Sequence, residues 1–460
     1  MRAGVGSPPN CAGSLPSVAT PEIARAVPAR RLTAARFARE AVAATTLAGI
    51  VAGVFLFASA AASGPYSFVY HGKLGPSGLP GWVNGPLDGL SSPLTAPRLI
   101  VLSLLLFALY LVAVALADAM RFAWVVAAIL AVHAILFVGP PTWLTDAFNY
   151  LGFARLGALH GLDPYGHTPS AVPADPAFPY VSWPNLTSPY GPLFTAASYV
   201  LVPLGVSGGL WALKAGVVAA SLGCLALVWK IAEALKRPVV PALVLVGLNP
   251  LFLLYGVGGF HNDPFVLLLV LAGILWTVRE RARPAGAAIV AAAAVKVTGG
   301  LALPFLWAGS RDRRGVALGA AAAAVGVVAL STILFGADLG AALTPFSDQG
   351  NATSLRSFPG QISQAFLSRG VVSPTVQVLA QVAFALVVVG LLVHTWRGGD
   401  WIVNAGWATL ALLLALPWVM PWYVSWLLPF AALGGNRRLR VAALTMTAFL
   451  VVVRMPYPPL

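Results

Sequence analysis

A succession of apolar stretches separated by short polar joints fixes most of what this chain can be. They lie near 41–61, 98–117, 122–140, 210–229, 239–256, 264–278, 314–336, 375–396, 401–416, 422–434 and 441–456. A helix needs about 20 apolar residues to cross a hydrocarbon core of about 30 Å, and the longer stretches meet that length. In lipid, every backbone polar group must be satisfied inside the segment, so this pattern predicts an all-α polytopic membrane protein. Only 9% of the residues are charged, against roughly 25% in a soluble domain, which excludes an ordinary soluble enzyme.

The net charge of +14 records orientation. Lys and Arg stand singly or in threes between apolar runs and form no continuous face for DNA or RNA, so no nucleic-acid partner is expected. Basic residues concentrate in cytoplasmic loops. Arg25, Arg30, Arg31, Arg36 and Arg39 place the N-terminus inside, and residues 1–40 read as a disordered cytoplasmic tail before a single transmembrane domain over 41–460. Arg121, then Lys230, Lys236 and Arg237, then Arg279, Arg281 and Arg283, then Arg397, then Arg437, Arg438 and Arg440 alternate accordingly. Three segments fall outside: 62–97, 141–209 and 337–374. Cys11 and Cys224 lie too differently to pair, and they supply no cysteine metal site.

Two segments resist counting. Residues 191–205 are apolar enough to span, but spanning would invert Lys230, Lys236 and Arg237, so they are expected to lie at the outer surface or dip into it. Residues 284–310 carry arginines at both ends, which predicts a hairpin with Lys296, Thr298, Gly299 and Gly300 at its apex. Arms of about 12 residues reach only about 18 Å. Irregular backbone at that depth is tolerated where protein or a water-filled cavity covers it, so the apex should border a site.

The outer segments hold the candidate chemistry. Asp146 opens a run, 146–160, that reads as a helix. An acid there stabilises a helix N-terminus, or it serves as a general base on a hydroxyl brought within hydrogen-bond reach. Asp163 precedes Pro164 and reads as a turn former, and the spacing of His160, Asp163 and His167 fits no established zinc pattern. In the turn 256–265, Asn262, Asp263 and Pro264 suffice to start a helix, while His261 exceeds what a turn needs. Lys296 is costly at membrane depth and needs an anionic partner or a route to water; snorkelling along its stem is the bland reading and an anionic lipid phosphate the natural alternative. Trp183, Tyr190, Trp418, Trp422, Tyr423 and Trp426 read first as interfacial belt residues; the second reading is sugar stacking for Trp183 and Tyr190, and a grip on a lipid headgroup or sugar for the other four.

Three features in order carry a family resemblance. These are an Asp early in the first large outer loop followed by G-L-D-P-Y and S-P-Y-G-P-L, then G-G-F-H-N-D, then a Lys in an Ala-rich segment ending A-L-P-F. Over roughly 98–430 the chain resembles the bacterial GT-C glycosyltransferases, most closely the actinobacterial polyprenol-phosphomannose-dependent α-1,6-mannosyltransferases of the MptB type. The resemblance implies a GT-C fold of about 11–13 transmembrane helices with the active site on outer-face loops. It implies an inverting enzyme of the bacterial plasma membrane that moves mannose from polyprenyl-phosphate mannose to a glycolipid or oligomannoside acceptor, surrounded by membrane lipids. Asp146 would be the base; His261, Asn262, Asp263, Lys296, Tyr165, Tyr190 and Tyr423 would bind substrate. No cofactor is expected, and divalent-metal dependence is left open. One departure is Phe148, which lacks the hydroxyl that relatives often carry two residues after the acid. A transporter or flippase of lipid-linked sugars is the competing class, and a non-catalytic assembly scaffold a third. No inverted repeat with paired broken helices supports transport.

Overall fold

A computed structural model describes residues 23–60, 81–87, 90, 94–143, 146–336, 352–367 and 370–454. Among these there is no strand, and the chain is an all-α polytopic membrane protein. Among the described residues, five helical stretches are long and apolar enough to cross a membrane: Arg36–Ala60, Pro97–Ala119, Pro192–Ala234, Arg313–Phe335 and Pro374–Trp396, the third of them interrupted at Gly205. Five shorter apolar helices of 10–17 residues accompany them.

The first helix, α1 (Ile23–Ala60), packs against α2 (Ala96–Leu116) and α3 (Phe122–Val138). Its early start corrects the expected tail: residues 23–40 are helical, and 1–22 lie outside the described residues. Most of the expected loop 62–97 and residues 337–351 also lie outside the described residues. After α3, Gly139-Pro140-Pro141 stops the helix, because two prolines in succession supply no backbone donors. Next come α4 (Ala147–Ala158), α5 (Pro192–Ser198) and α6 (Gly205–Ala234).

Segment 191–205 is not an independent span. Seven α-helical and six 3-10 residues reach roughly 22 Å before Gly205, with φ +70, turns the chain into α6. Gly191 donates to the Val295 carbonyl at 3.0 Å, and a Cβ there would strike the Ala294–Val295 backbone. This close approach seats the S-P-Y-G-P-L segment on the hairpin apex.

The stretch 239–256 is broken. Helix α7 (Val239–Gly247) ends, and Asn249 Oδ1 accepts from Leu251 N and Phe252 N to start a new turn that becomes a π-helix over Phe252–Val257. Helix α8 (Asp263–Val278) follows. Then α9 (Ala282–Val295), a 3-10 turn over Val297–Leu301 and α10 (Ala302–Gly309) form the expected hairpin, whose open end is marked by Glu280 Oε1 and Arg311 Nη1 at 2.6 Å. Gly286 lets α9 approach α11 (Arg313–Phe335) until backbone meets backbone. The chain continues through α12 (Phe358–Leu367), α13 (Pro374–Trp396) and α14 (Trp401–Ala415). The expected span 422–434 is instead a 3-10 helix, Pro421–Trp426, and the short α15 (Leu428–Leu433), before α16 (Arg437–Arg454). That break lowers aromatic side chains toward the hairpin apex.

Candidate active site

Asp146 is the N-cap residue of α4, yet its carboxylate makes no capping hydrogen bond. The side chain retains 21% of its exposure and faces Nε2 of His261 at 3.7 Å. The Tyr190 hydroxyl lies against the same carboxylate. Burial and then that negative charge push the Tyr190 phenol well above its ordinary range, so it stays a proton donor.

The turn carrying His261 is held by backbone. His261 N donates to Gly256 O at 3.2 Å, and Phe260 is bent through φ +56. A carbonyl only accepts, so the 2.7 Å contact between His261 Nδ1 and Tyr255 O assigns a proton to Nδ1. In the neutral ring, Nε2 is then an acceptor aimed at Asp146. The imidazole stacks on Trp422, with centroids 3.5 Å apart and planes 21° from parallel.

Asp263, at the first turn of α8, is 1% exposed and accepts from Lys296 Nζ at 3.1 and 3.3 Å. It also accepts from Trp426 Nε1 at 2.6 Å. Lys296 caps the end of α9 in extended backbone, 4.8 Å from the Tyr423 ring and 5.1 Å from that of Trp426. Those two rings stack at 4.2 Å. The lysine therefore does not snorkel: its anionic partner is a carboxylate of the protein. Between His261 and Asp263, Asn262 N donates to the Tyr150 hydroxyl at 3.1 Å. Both polar atoms of the Asn262 side chain, with His261 Nε2, Trp422 Nε1 and Ser425 Oγ, are buried without partners. Unsatisfied buried polar groups are rare in folded proteins, and a group of them calls for an explanation such as a catalytic role or a bound water or ion.

The structure thus gathers Asp146, His261, Asn262, Asp263, Lys296, Tyr190 and Tyr423. It leaves out Tyr165, which is 4% exposed and spends its hydroxyl on Tyr190 O at 2.8 Å and Thr195 Oγ1 at 3.0 Å. Tyr165 positions Tyr190 and does not face the cluster. His160 turns away from Asp163 and pairs with Asp175 at 2.8 Å, beside Arg155, also at 2.8 Å. Asp163 makes its expected turn, accepting from Tyr165 N. Phe148 stacks on Tyr180 at 4.9 Å, while Tyr150, on another face of α4, places its hydroxyl against Asn262 N. Trp422 and Trp426, expected in the interfacial belt, are buried parts of the cluster; their only sequence signal was crowding between prolines.

Chemically, the cluster sets a partly open carboxylate opposite a lysine bound to a closed one. Such an arrangement can deprotonate a hydroxyl at one end and steady an anion at the other.

The N-terminal domain model of the alpha-(1->6)-mannopyranosyltransferases matches residues 46–310, and the MptB C-terminal domain model matches 360–458. Alpha-(1->6)-mannopyranosyltransferase A of Mycobacterium tuberculosis is 36% identical over 193 residues, 39% of this chain and 36% of that relative. Its counterpart in Corynebacterium glutamicum is 31% identical over 185 residues, 38% of this chain and 36% of the relative. Alpha-(1->6)-mannopyranosyltransferase B of C. glutamicum is 27% identical over 324 residues, 60% of this chain and 53% of the relative. The matched stretches thus span between about a third and about half of these relatives' own lengths. No solved structure matches. With a family model over more than half of its length, the chain belongs to the alpha-(1->6)-mannopyranosyltransferase family.

Proposed function

We propose that the protein is an inverting mannosyltransferase that takes mannose from polyprenyl-phosphate mannose and forms α-1,6 linkages on a glycolipid or oligomannoside acceptor, at the outer face of the bacterial plasma membrane. Asp146 accepts the proton of the acceptor hydroxyl as its oxygen attacks the anomeric carbon. The carbon–oxygen bond to the phosphate breaks on the opposite face of the sugar, and a β-linked donor gives an α-mannoside. Prenyl phosphate leaves with the bonding electrons, and Lys296 steadies the charge that develops on it. His261, Asn262, Tyr190 and Tyr423 line the space between the two ends.

The observation that carries this reading is the contrast between the two acids. Asp146 keeps 21% of its side-chain surface and forms no close ion pair, whereas Asp263 is 1% exposed and committed to Lys296 and Trp426. A base needs a free lone pair within reach of substrate, and Asp146 has one.

Membranes containing the protein, incubated with labelled polyprenyl-phosphate mannose and a short mannoside, should yield an extended mannoside with release of prenyl phosphate. Linkage analysis of that product checks the α-1,6 assignment. Movement of the labelled lipid across the bilayer without release of prenyl phosphate would instead establish a flippase.

A further inference from the structure

Lys214 lies in the third turn of α6 and is 1% exposed. A lysine at such depth is costly, and among the described residues no carboxylate pairs with it. Its ammonium instead donates to Gly139 O at 2.6 Å and stands 4.2 Å from the Trp211 ring and 5.0 Å from the Phe260 ring.

Each contact has a physical reason. Gly139 is the C-cap of α3, where carbonyls lack intrahelical donors and the helix dipole is negative, and the prolines at 140 and 141 bring no N–H to replace them. A cation reaching across from α6 fills that role. Phe260 is fully buried in a left-handed backbone conformation that a bulky residue adopts only under constraint. The ring face over Lys214 supplies part of that constraint, and His261 is the next residue.

The two chain segments touched by Lys214 are the ones that present Asp146 and His261. They are already stitched by Thr142, whose N donates to Gly258 O at 3.0 Å and whose hydroxyl donates to Leu254 O. Lys214 adds a tie on the far side of that stitch, joining the end of α3 to the turn 256–261 through α6.

We propose that Lys214 is a positioning residue that sets the separation of the Asp146 carboxylate and the His261 imidazole. The inference rests on the transferase reading for its kinetic consequence and on geometry alone for its structural one. Displacement of a reacting group by about 1 Å costs up to about 100-fold in rate, while uniform substrate binding is left in place.

Lys214→Met keeps length and removes charge and donors. In the full-length membrane protein it should lower kcat at least about tenfold with donor KM changed less than about twofold. In a His261→Phe background, where the pair is already broken, the same substitution should cost much less than it does alone. Phe260→Leu, which keeps bulk and loses the ring face, should lower kcat about threefold in the same pattern, and it carries the test if the Met variant does not fold. Amide exchange in peptides 139–143 and 254–263 should rise together in either variant, a readout independent of activity. An unchanged kcat in folded variants, or costs that simply multiply with His261→Phe, would reduce Lys214 to a helix cap and overturn the proposal. If the wild type transfers no mannose, the transferase reading fails while the exchange data still decide the geometry.

Discussion

His261 Nε2 and Asp146 Oδ2 face each other at 3.7 Å, and the proton that would join them is held elsewhere, on Nδ1 by the Tyr255 carbonyl. Two acceptors in that relation form no direct hydrogen bond between them. They do form a mouth for a donor, and a sugar hydroxyl is one. A charged carboxylate is the stronger hydrogen-bond acceptor, so on the proposed reading an entering hydroxyl points its proton at Asp146, while His261 is held in place by its stacking on Trp422.

Asp146→Asn keeps shape and hydrogen-bonding capacity and abolishes basicity. The Asp146 side chain caps no helix N–H, so the fold should not depend on its charge. Turnover should fall at least about 100-fold, with donor binding retained. Single-turnover transfer from labelled donor measures it; near-normal rates would move the base to Asp263.

His261→Phe retains a flat ring for Trp422 and removes Nε2. Loss of one acceptor of a substrate hydroxyl is worth about 1 kcal/mol, so turnover should fall about fivefold. His261→Ala loses the stack as well and should also lower thermal stability. If both variants unfold at the wild-type temperature and turn over alike, the imidazole has no part in holding the site.

Several spans are legible to within a residue or two: 98–117 against Ala96–Leu116, 264–278 against Asp263–Val278, 375–396 against Pro374–Trp396. Their boundaries follow from where apolar composition stops, which lipid enforces. The breaks at Asn249 and Pro421 are not legible, because average hydrophobicity is blind to a side chain that caps a new turn. Asp146 and the His261–Asp263 trio stand out as polar groups where apolar ones are cheaper. That Lys296 needs an anion is readable too, but not that the anion is Asp263, 33 residues away. Trp422 and Trp426 carry no mark separating a belt residue from a buried one. Lys214, inside the stretch 210–229, was detectable by the same insertion cost that draws attention to Lys296.

The pairing of Lys296 with Asp263 changes what a lysine substitution should do. Lys296→Met alone leaves a carboxylate that is 1% exposed with Trp426 as its remaining polar partner, and stranding one member of a buried pair costs about 3–5 kcal/mol. The single variant should therefore be poorly folded. Lys296→Met combined with Asp263→Asn removes both charges, and the amide oxygen introduced at position 263 still accepts from Trp426. The double variant should regain most of the thermal stability and yet bind prenyl phosphate weakly, as read by product inhibition. Wild-type inhibition in the double variant would exclude Lys296 from phosphate recognition.

The loop between α4 and α5 should respond to acid through Asp175. Burial opposes ionisation of this carboxyl, but hydrogen bonds from Arg155 and His160 outweigh burial and hold it below its ordinary value of 3.8. A folded-state pKa lower than the unfolded one means that the charged form stabilises the fold. Its contribution is complete above the unfolded value and is lost as pH falls through the folded one. Protection of residues 159–191 from proteolysis or amide exchange should thus be constant from about pH 7 to about pH 5 and decline below about pH 4. Asp175→Asn leaves Arg155 buried without its counter-charge, so protection should already be low at neutral pH and the acid transition should vanish. Because Tyr165, in the same loop, holds the Tyr190 carbonyl, loosening here should also lower turnover at neutral pH. A variant with the wild-type acid transition would show that some group other than Asp175 ties the loop down.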